Sequence, residues 1–500
     1  MKDAKIGGTT TLAWRDGTIV IEGVILRVED EIGANALARL VELVDQYGPT
    51  AISRAEGDFV ALIKTPHVLH AFKSFTSQFQ LYYRERDGHF SNRLFPFWQP
   101  GTDILNEDYF ARHVLIVSGY QFISRETPIR HVNRVLPGEL VSIGRGVTRT
   151  QLIHRDYKYR FEGGATRQEA AEKILHLLRQ SIKSRLAARP QPRICVEISG
   201  GLDSSFIACL LGEAASNIRG VMFSQPGVPS HVVSEGYARD VADRYGIDLV
   251  VVPPEDLPAP PIGVAPYCDE PSDFFWFGDI FSRGVAQWAE PGSYVFTGFG
   301  ADQLFLRSPA ILPHLLDKRQ FRAFKDSLPA ASDLLSRSRF SLAWQCAVSQ
   351  LPAGLHRRLH RAFGVIGWNP LDVSDVNMQR TLTNEVDWLL CGKSLGAYSR
   401  ERQEAERPLV GDGIICDDWG YFSAPGVVTQ PHFASKGLMD ASPFCDLPLL
   451  DFTYDHINAL MIHDFDGRYK ESLLSGNYSN RFNWVEFSPS GFCRARSSSS

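Results

Sequence analysis

The chain has 500 residues, 44% of them apolar and 22% charged, with a net charge of −5, which suits a soluble enzyme of roughly two to four domains. It carries no polybasic run and no basic strand interleaved with aromatics, which speaks against nucleic-acid binding; no stretch approaches the roughly 18 apolar residues of a membrane span. The start, Met1 to Gly8, lacks a signal-peptide core, and eight cysteines scattered from Cys195 to Cys493 without a Cys-x-x-Cys pair favour a reducing, cytoplasmic setting.

Residues 1–155 read as β-rich with one helix. Strand character runs over Thr10–Trp14, Thr18–Leu26, Asp58–Lys64, His67–Ser74 and Leu81–Arg84, and Ala34–Tyr47 alternates at helical spacing. Three short runs occur in order: Glu56-Gly57-Asp58-Phe59, Leu81-Tyr82-Tyr83, and Arg134-Val135-Leu136-Pro137-Gly138-Glu139. The series resembles the N-terminal glutamine-amidotransferase domain of asparagine synthetases. That domain uses a cysteine at its mature N-terminus; here Lys2 follows the initiator and the first cysteine is Cys195. The resemblance therefore implies a domain without its nucleophile, kept as a structural relic or as a surface for a partner.

A polar connector, His154 to Gly164, precedes a capping box at Thr166-Arg167-Gln168-Glu169. The helix that follows, to about Leu186, carries Ile174, Leu177, Leu178 and Ile182 on one stripe, and Arg179, Lys183 and Arg185 read as its solvated face. Arg189-Pro190-Gln191-Pro192 stops it. Ile194 to Ile198 is then a buried strand and Phe206 to Ala214 a helix. Between them lies Ser199-Gly200-Gly201-Leu202-Asp203-Ser204-Ser205. Two glycines allow a sharp turn and close approach to a ligand; serines and N–H groups at the new helix's start face an anion. No Gly-Lys-Ser/Thr follows, so this is not a Walker A loop. It resembles the pyrophosphate (PP) loop, SGGxDSS, of ATP-pyrophosphatases, which release AMP and pyrophosphate.

Further strands are expected at Gly220–Ser224, Asp248–Val252 and Tyr294–Thr297, with helices between, including Ser234–Tyr245. Alternation of this kind predicts a parallel sheet covered on both faces, whose ligands bind beyond the strands' carboxyl ends. The loop thus shares a crevice with Phe223-Ser224 and with Thr297-Gly298-Phe299-Gly300-Ala301-Asp302. Asp302 facing Asp203 would be a liability without a cation and a magnesium site with one. From Ile311 to about Asp440 the chain reads mainly helical, with Trp344, Trp368, Trp388 and Trp419 assigned to core packing. Asp269-Glu270-Pro271-Ser272-Asp273-Phe274-Phe275 is either a solvated helix start or an acceptor pocket.

Two last motifs, Ser442-Pro443-Phe444-Cys445-Asp446 and Gly467-Arg468-Tyr469-Lys470-Glu471-Ser472-Leu473-Leu474, resemble the SPFLD and GRxKxxL runs of asparagine-synthetase-like amide ligases. The family resemblance implies that Lys470 reaches the α-phosphate and the carbonyl under attack. It implies ATP against Ser199, Gly200, Gly201, Leu202, Asp203, Ser204 and Ser205, with Phe223, Gly298, Phe299 and Gly300 completing the site. Mg2+ would sit on Asp203 and Asp302, with Glu270 and Asp273 near the reacting groups. The expected fold is α/β: an Ntn-hydrolase-like (class II glutamine-amidotransferase-like) α+β domain over 1–160, then over 161–500 a doubly wound parallel-sheet PP-loop synthetase domain with a helical C-terminal part.

Without internal ammonia the nucleophile should be an amine already on a substrate. β-Lactam-type synthetases place a tyrosine where this chain has Phe299, which takes no proton. A peptide α-amine, with a pKa of about 7.7–8.0, is partly neutral at pH 7 and tolerates that change. Together with Arg307-Ser308-Pro309, the layout is similar to lasso-peptide cyclases. That resemblance implies a precursor-peptide substrate and two partners, a leader peptidase and a leader-recognition protein. A β-lactam-type or asparagine-synthetase-type ligase acting on a small molecule, and an inactive nucleotide- or peptide-binding scaffold, stay open as alternatives.

Overall fold

The computed structural model describes residues 9–14, 17–106, 109, 125–144, 146–153, 167–189, 191–225, 227–257, 282–301, 304, 312, 315–316, 319, 321–334, 338–349, 433 and 436–455. The chain divides into two units. One joins Met1–Asp156, Leu178–Phe299 and Val386–Pro448; the other joins Tyr157–Leu177, Gly300–Glu385 and Leu449–Ser500.

The first unit opens with antiparallel strands β1 (Thr9–Trp14), β2 (Gly17–Val28) and β3 (Glu31–Ile32), helix α1 (Ala34–Tyr47), then β4 (Ala55–Lys64) and β5 (Leu69–Lys73). Strands β6 (Tyr82–Arg84), β7 (His89–Ser91), β8 (Val132–Arg134), β9 (Glu139–Gly144) and β10 (Val147–Leu152) follow. The larger sheet runs β1-β2-β4-β5-β9-β10 with β3 on β2, and β7-β6-β8 form a smaller one. Alternation puts Ile19 and Ile21 of β2 inside, and a bulge between Ile25 and Arg27 shifts the register so that Ile25, Leu26 and Val28 are all buried. In α1 the buried set is Ala36, Leu40, Leu43 and Val44, the spacing of one helical face. The strand expected from His67 begins only at Leu69, because Thr65 and Val68 close a tight turn: Thr65 Oγ1 donates to Val68 O at 2.8 Å.

Helix α2 (Arg167–Ala187) leads to the parallel strands β11 (Ile194–Glu197), β12 (Ile218–Phe223), β13 (Asp248–Val252), β14 (Tyr294–Phe296) and β15 (Met439–Ala441). Helices α3 (Leu202–Ala214) and α4 (Pro229–Tyr245) lie between the first three of these. The sheet order is β13-β12-β11-β14-β15, so the direction of growth reverses between β11 and β14. The chain is thus α/β with a five-stranded parallel sheet. β15 corrects the helical reading of Ile311 to Asp440 at its end. Three residues, one of them charged, give no period, and only pairing with β14 makes them a strand. Helix α3 also starts at Leu202, four residues before the expected Phe206.

A second correction concerns α2. Arg179 and Lys183 are exposed as expected, but Arg185 is buried. Its guanidinium pairs with both Asp446 oxygens, at 2.6 and 2.7 Å, and donates to Ser181 Oγ at 2.6 Å. In the second unit, helices α5 (Phe321–Leu334) and α6 (Arg339–Ser349) pack together. Trp344, assigned to the core, is 52% exposed, whereas Leu342 and Cys346 on the same helix are buried. Thr166, Trp368, Trp388 and Trp419 lie outside the described residues, and among those described no helix is long and apolar enough to cross a membrane.

Candidate functional site

Between β11 and α3 the chain reverses through Ser199, Gly200 and Gly201. Gly200 sits at φ 74°, and a Cβ there would lie 2.0 Å from the carbonyl oxygen of Ser234 in α4. Only glycine fits. The turn is locked from inside: Ser204 Oγ accepts from Ser199 N at 2.9 Å and lies 2.9 Å from Ser199 Oγ, which accepts from Gly201 N at 3.2 Å. Ser204 and Ser205 are buried, while Ser199 and Gly201 are exposed. The Ser204 hydroxyl thus shapes the turn, and the first turn of α3 supplies the N–H groups that attract an anion. Asp203 stands in that turn, half-buried.

The reversal of strand order opens a crevice beside this loop. Its other wall is Thr297-Gly298-Phe299, which follows β14. A Cβ on Gly298 would come within 2.6 Å of Ser204 N and 2.9 Å of the Asp203 carbonyl carbon. The two walls therefore touch through backbone, and any side chain at 298 would separate them. Thr297 Oγ1 accepts from Phe299 N at 3.3 Å, and Cys445 Sγ donates to Phe299 O at 3.7 Å. Gly300 is held at φ 94°. At the end of β12, the Phe223 ring turns toward Gly284 and joins the apolar cluster of Val221, Val252 and Val285. Ser224 Oγ donates to Glu235 at 2.9 Å.

The structure thus brings Ser199 through Ser205 together with Gly298 and Phe299. Asp302, Glu270, Asp273 and Lys470 lie outside the described residues. Among the described residues no group of three or more His, Cys, Asp or Glu is arranged to hold a metal. Magnesium commonly takes one or two carboxylates and fills its shell with phosphate oxygens and water. A single carboxylate at the helix start, Asp203, therefore suits a metal that arrives with a nucleotide.

Three carboxyls have pKa values raised to about 6 or 7; Glu197 and Asp440 lie in no sequence motif, and Asp58 only in the Glu56-Gly57-Asp58-Phe59 run. Burial pushes Glu197, the last residue of β11, from 4.5 up to about 7. Burial, then Asp58 and Glu197, push Asp440 of β15 from 3.8 up to about 7, against Ser442 and Arg185. Burial raises Asp58 of β4 from 3.8 to about 6, against hydrogen bonds from Ser77 and Gln78. The one available signal is a lone acid closing an apolar run, as in Ile-Cys-Val-Glu. Each group holds its proton to higher pH when folded than when unfolded. The stability so gained is complete below the unfolded values and is lost as pH climbs through about 6 to 7. The thermal midpoint of the ligand-free protein should therefore fall between about pH 5 and 8. Glu197→Gln and Asp440→Asn should each lose less over that interval, and a wild-type midpoint that rises instead contradicts this.

Residues 173–393 match the asparagine synthase family model. No curated protein matches the chain. Among solved structures, the NMN synthetase of Francisella tularensis is similar at 12% identity and a TM-score of 0.20, over 39% of this chain and 95% of that one. The U34-tRNA thiolase NcsA of Methanococcus maripaludis, with its [4Fe-4S] cluster, is similar at 11% identity and a TM-score of 0.21, over 50% and 79%. An allosteric regulatory enzyme of purine biosynthesis is similar at 12% identity and a TM-score of 0.21, over 59% and 57%. Likenesses at such TM-scores carry no weight for fold or function. The family match spans both walls of the crevice: residues 173–393 are an asparagine synthase domain, and the chain is an ATP-dependent amide ligase.

Proposed function

We propose that this ligase is a lasso-peptide macrolactam synthetase. An Asp or Glu side chain of a precursor peptide attacks the α-phosphate of ATP, forming an acyl adenylate and releasing pyrophosphate. The peptide's own N-terminal amine then attacks the acyl carbon. AMP leaves, the amine loses a proton to solvent, and an isopeptide bond closes the ring.

The observation that carries this reading is Phe299. It sits in the turn laid against α3, at the position where the resembled β-lactam-type synthetases carry a tyrosine, and its ring accepts no proton. A nitrogen that is already partly neutral, such as a peptide α-amine, needs no such help. The locked Ser199–Ser205 turn and the N-terminus of α3 would hold the phosphates. Asp203 and Asp302 would hold Mg2+, whose charge offsets that of the departing pyrophosphate. Lys470 would stabilise charge that develops at the carbonyl, and Glu270 and Asp273 would line the acceptor pocket. Residues 1–160 would be a structural relic or a surface for a partner. A leader peptidase would act before the ligase, and a leader-recognition protein would present the peptide.

The test uses purified protein, Mg·ATP, and core peptides that carry a free N-terminal amine and an internal Asp or Glu. The expected products are AMP, pyrophosphate and a peptide lighter by one water and resistant to aminopeptidase. Stoichiometric ADP and phosphate would refute the adenylating reading. AMP release with a small amino acid, and none with any peptide, would refute the macrolactam reading alone.

A further inference from the structure

A line of three hydrogen bonds leads from the crevice back into the sheet. Phe299 N donates to Thr297 Oγ1 at 3.3 Å, Thr297 Oγ1 and Ser442 Oγ lie 3.0 Å apart, and Ser442 Oγ donates to Asp440 Oδ1 at 3.1 Å. Once ionised, above about pH 7, the Asp440 carboxyl has oxygens that only accept. Ser442 therefore gives its hydrogen to Asp440 and takes one from Thr297. The Thr297 hydroxyl, having donated, has a lone pair left for the Phe299 N–H. With Asp440 ionised, each group has one role in one direction, and the carboxylate end sets that direction.

The parallel register explains why three separate positions line up. Val295 of β14 pairs with Asp440 of β15. Two residues on, Thr297 and Ser442 return to the same face, and Thr297 N continues the ladder to Ala441 O at 3.0 Å. The turn at the end of the line has no slack, since Gly298 already lies against the Asp203–Ser204 backbone. A shift of Phe299 would move the wall that faces α3.

We propose that Asp440 is a positioning residue of the nucleotide site, acting through Ser442 and Thr297 to fix the Phe299 amide and the turn that lies on α3. The word nucleotide here rests on the reading of the crevice as the adenylating site. The charged and titratable groups that act on Asp440 are Asp58 of the antiparallel sheet, Glu197 of β11 and Arg185 of α2, and it acts in turn on Cys445. Asp58 is itself anchored, accepting from Ser77 Oγ and Gln78 N at 3.0 Å each. The antiparallel sheet thus bears on the site through one carboxyl.

The test measures amide hydrogen exchange over residues 297–299 in the ligand-free full chain, and Mg·ATP binding by calorimetry. Thr297→Val and Ser442→Ala each remove a hydroxyl at nearly constant shape. Each should speed exchange and weaken Mg·ATP about three- to tenfold, the size of one lost hydrogen bond. Thr297→Ser keeps the hydroxyl and should stay within about twofold of wild type. Asp440→Leu, which removes the acceptor, should act in the same direction as Ser442→Ala, and combined with it should add nothing, because both interrupt one line. Unchanged exchange in Thr297→Val or Ser442→Ala overturns the proposal. So does a Thr297→Ser variant as impaired as Thr297→Val, which would make packing the cause, or additivity of Asp440→Leu with Ser442→Ala. Wild-type protein that binds no Mg·ATP overturns the reading of the crevice, and the exchange rates then decide the hydroxyl line by themselves.

Discussion

Gly200→Ala is expected to lower kcat/KM for ATP on the order of 10²-fold while leaving the chain folded. Two effects act at that position. An L-residue at φ 74° costs roughly 1–2 kcal/mol. The new methyl would also stand 2.0 Å from Ser234 O, a backbone atom of α4 that cannot swing aside as a side-chain end would. The loop must therefore move, and with it the first turn of α3 that receives the phosphates. A control separates the two effects. Gly246 lies at φ 62° in the left-handed region, and a methyl added there would meet nothing within 4 Å, so Gly246→Ala should carry the backbone cost alone and leave turnover near wild type. ATP–pyrophosphate exchange with a carboxylate substrate, alongside thermal melts, reads both. A Gly200→Ala enzyme with unimpaired exchange would remove this loop from the nucleotide site.

Arg185→Met should destabilise the fold by about 3–5 kcal/mol, far more than the loss of a surface arginine. The guanidinium joins α2 to Asp446, 261 positions away in the chain, in a bidentate pair. Side-chain exposure is 6% for Arg185 and 15% for Asp446. Removing the cation leaves a carboxylate that water reaches poorly. It also takes a positive charge from Asp58 and Asp440, whose protons it helps to release. Arg185→Met with Asp446→Leu should recover much of the loss, since two apolar groups need no partner. Denaturant melts of the two single variants and the pair decide it. Near-additive losses would show that the pair does not act as one unit.

Several elements were legible because their signals are local. Ala34–Tyr47 and Asp248–Val252 have the same bounds in sequence and structure: an apolar face every three to four residues and an unbroken apolar run depend on nothing distant. The Ser-Gly-Gly turn also announces itself, because φ 74° at Gly200 is a demand on the residue type alone. Where the chain folds back, the same reasoning failed. Arg185 has the sequence look of a solvated face, and only the arrival of Asp446 makes it a buried ion pair. Met439–Ala441 is too short to show a period and is a strand because β14 offers it a register. Trp344 shows the reverse, an apolar residue on α6 that the fold leaves half-exposed.

By itself the sequence determined the turn chemistry, the alternation of strands and helices, and the residue types at the anion site, since these follow from backbone sterics and apolar periodicity. Only the tertiary structure decided that growth of the sheet reverses between β11 and β14, that Gly298 closes on Ser204, and that Asp440, Ser442 and Thr297 share one line. Each of these joins positions about a hundred or more residues apart. No local preference encodes such contacts; they exist because burying the sheet leaves polar groups that must find one another.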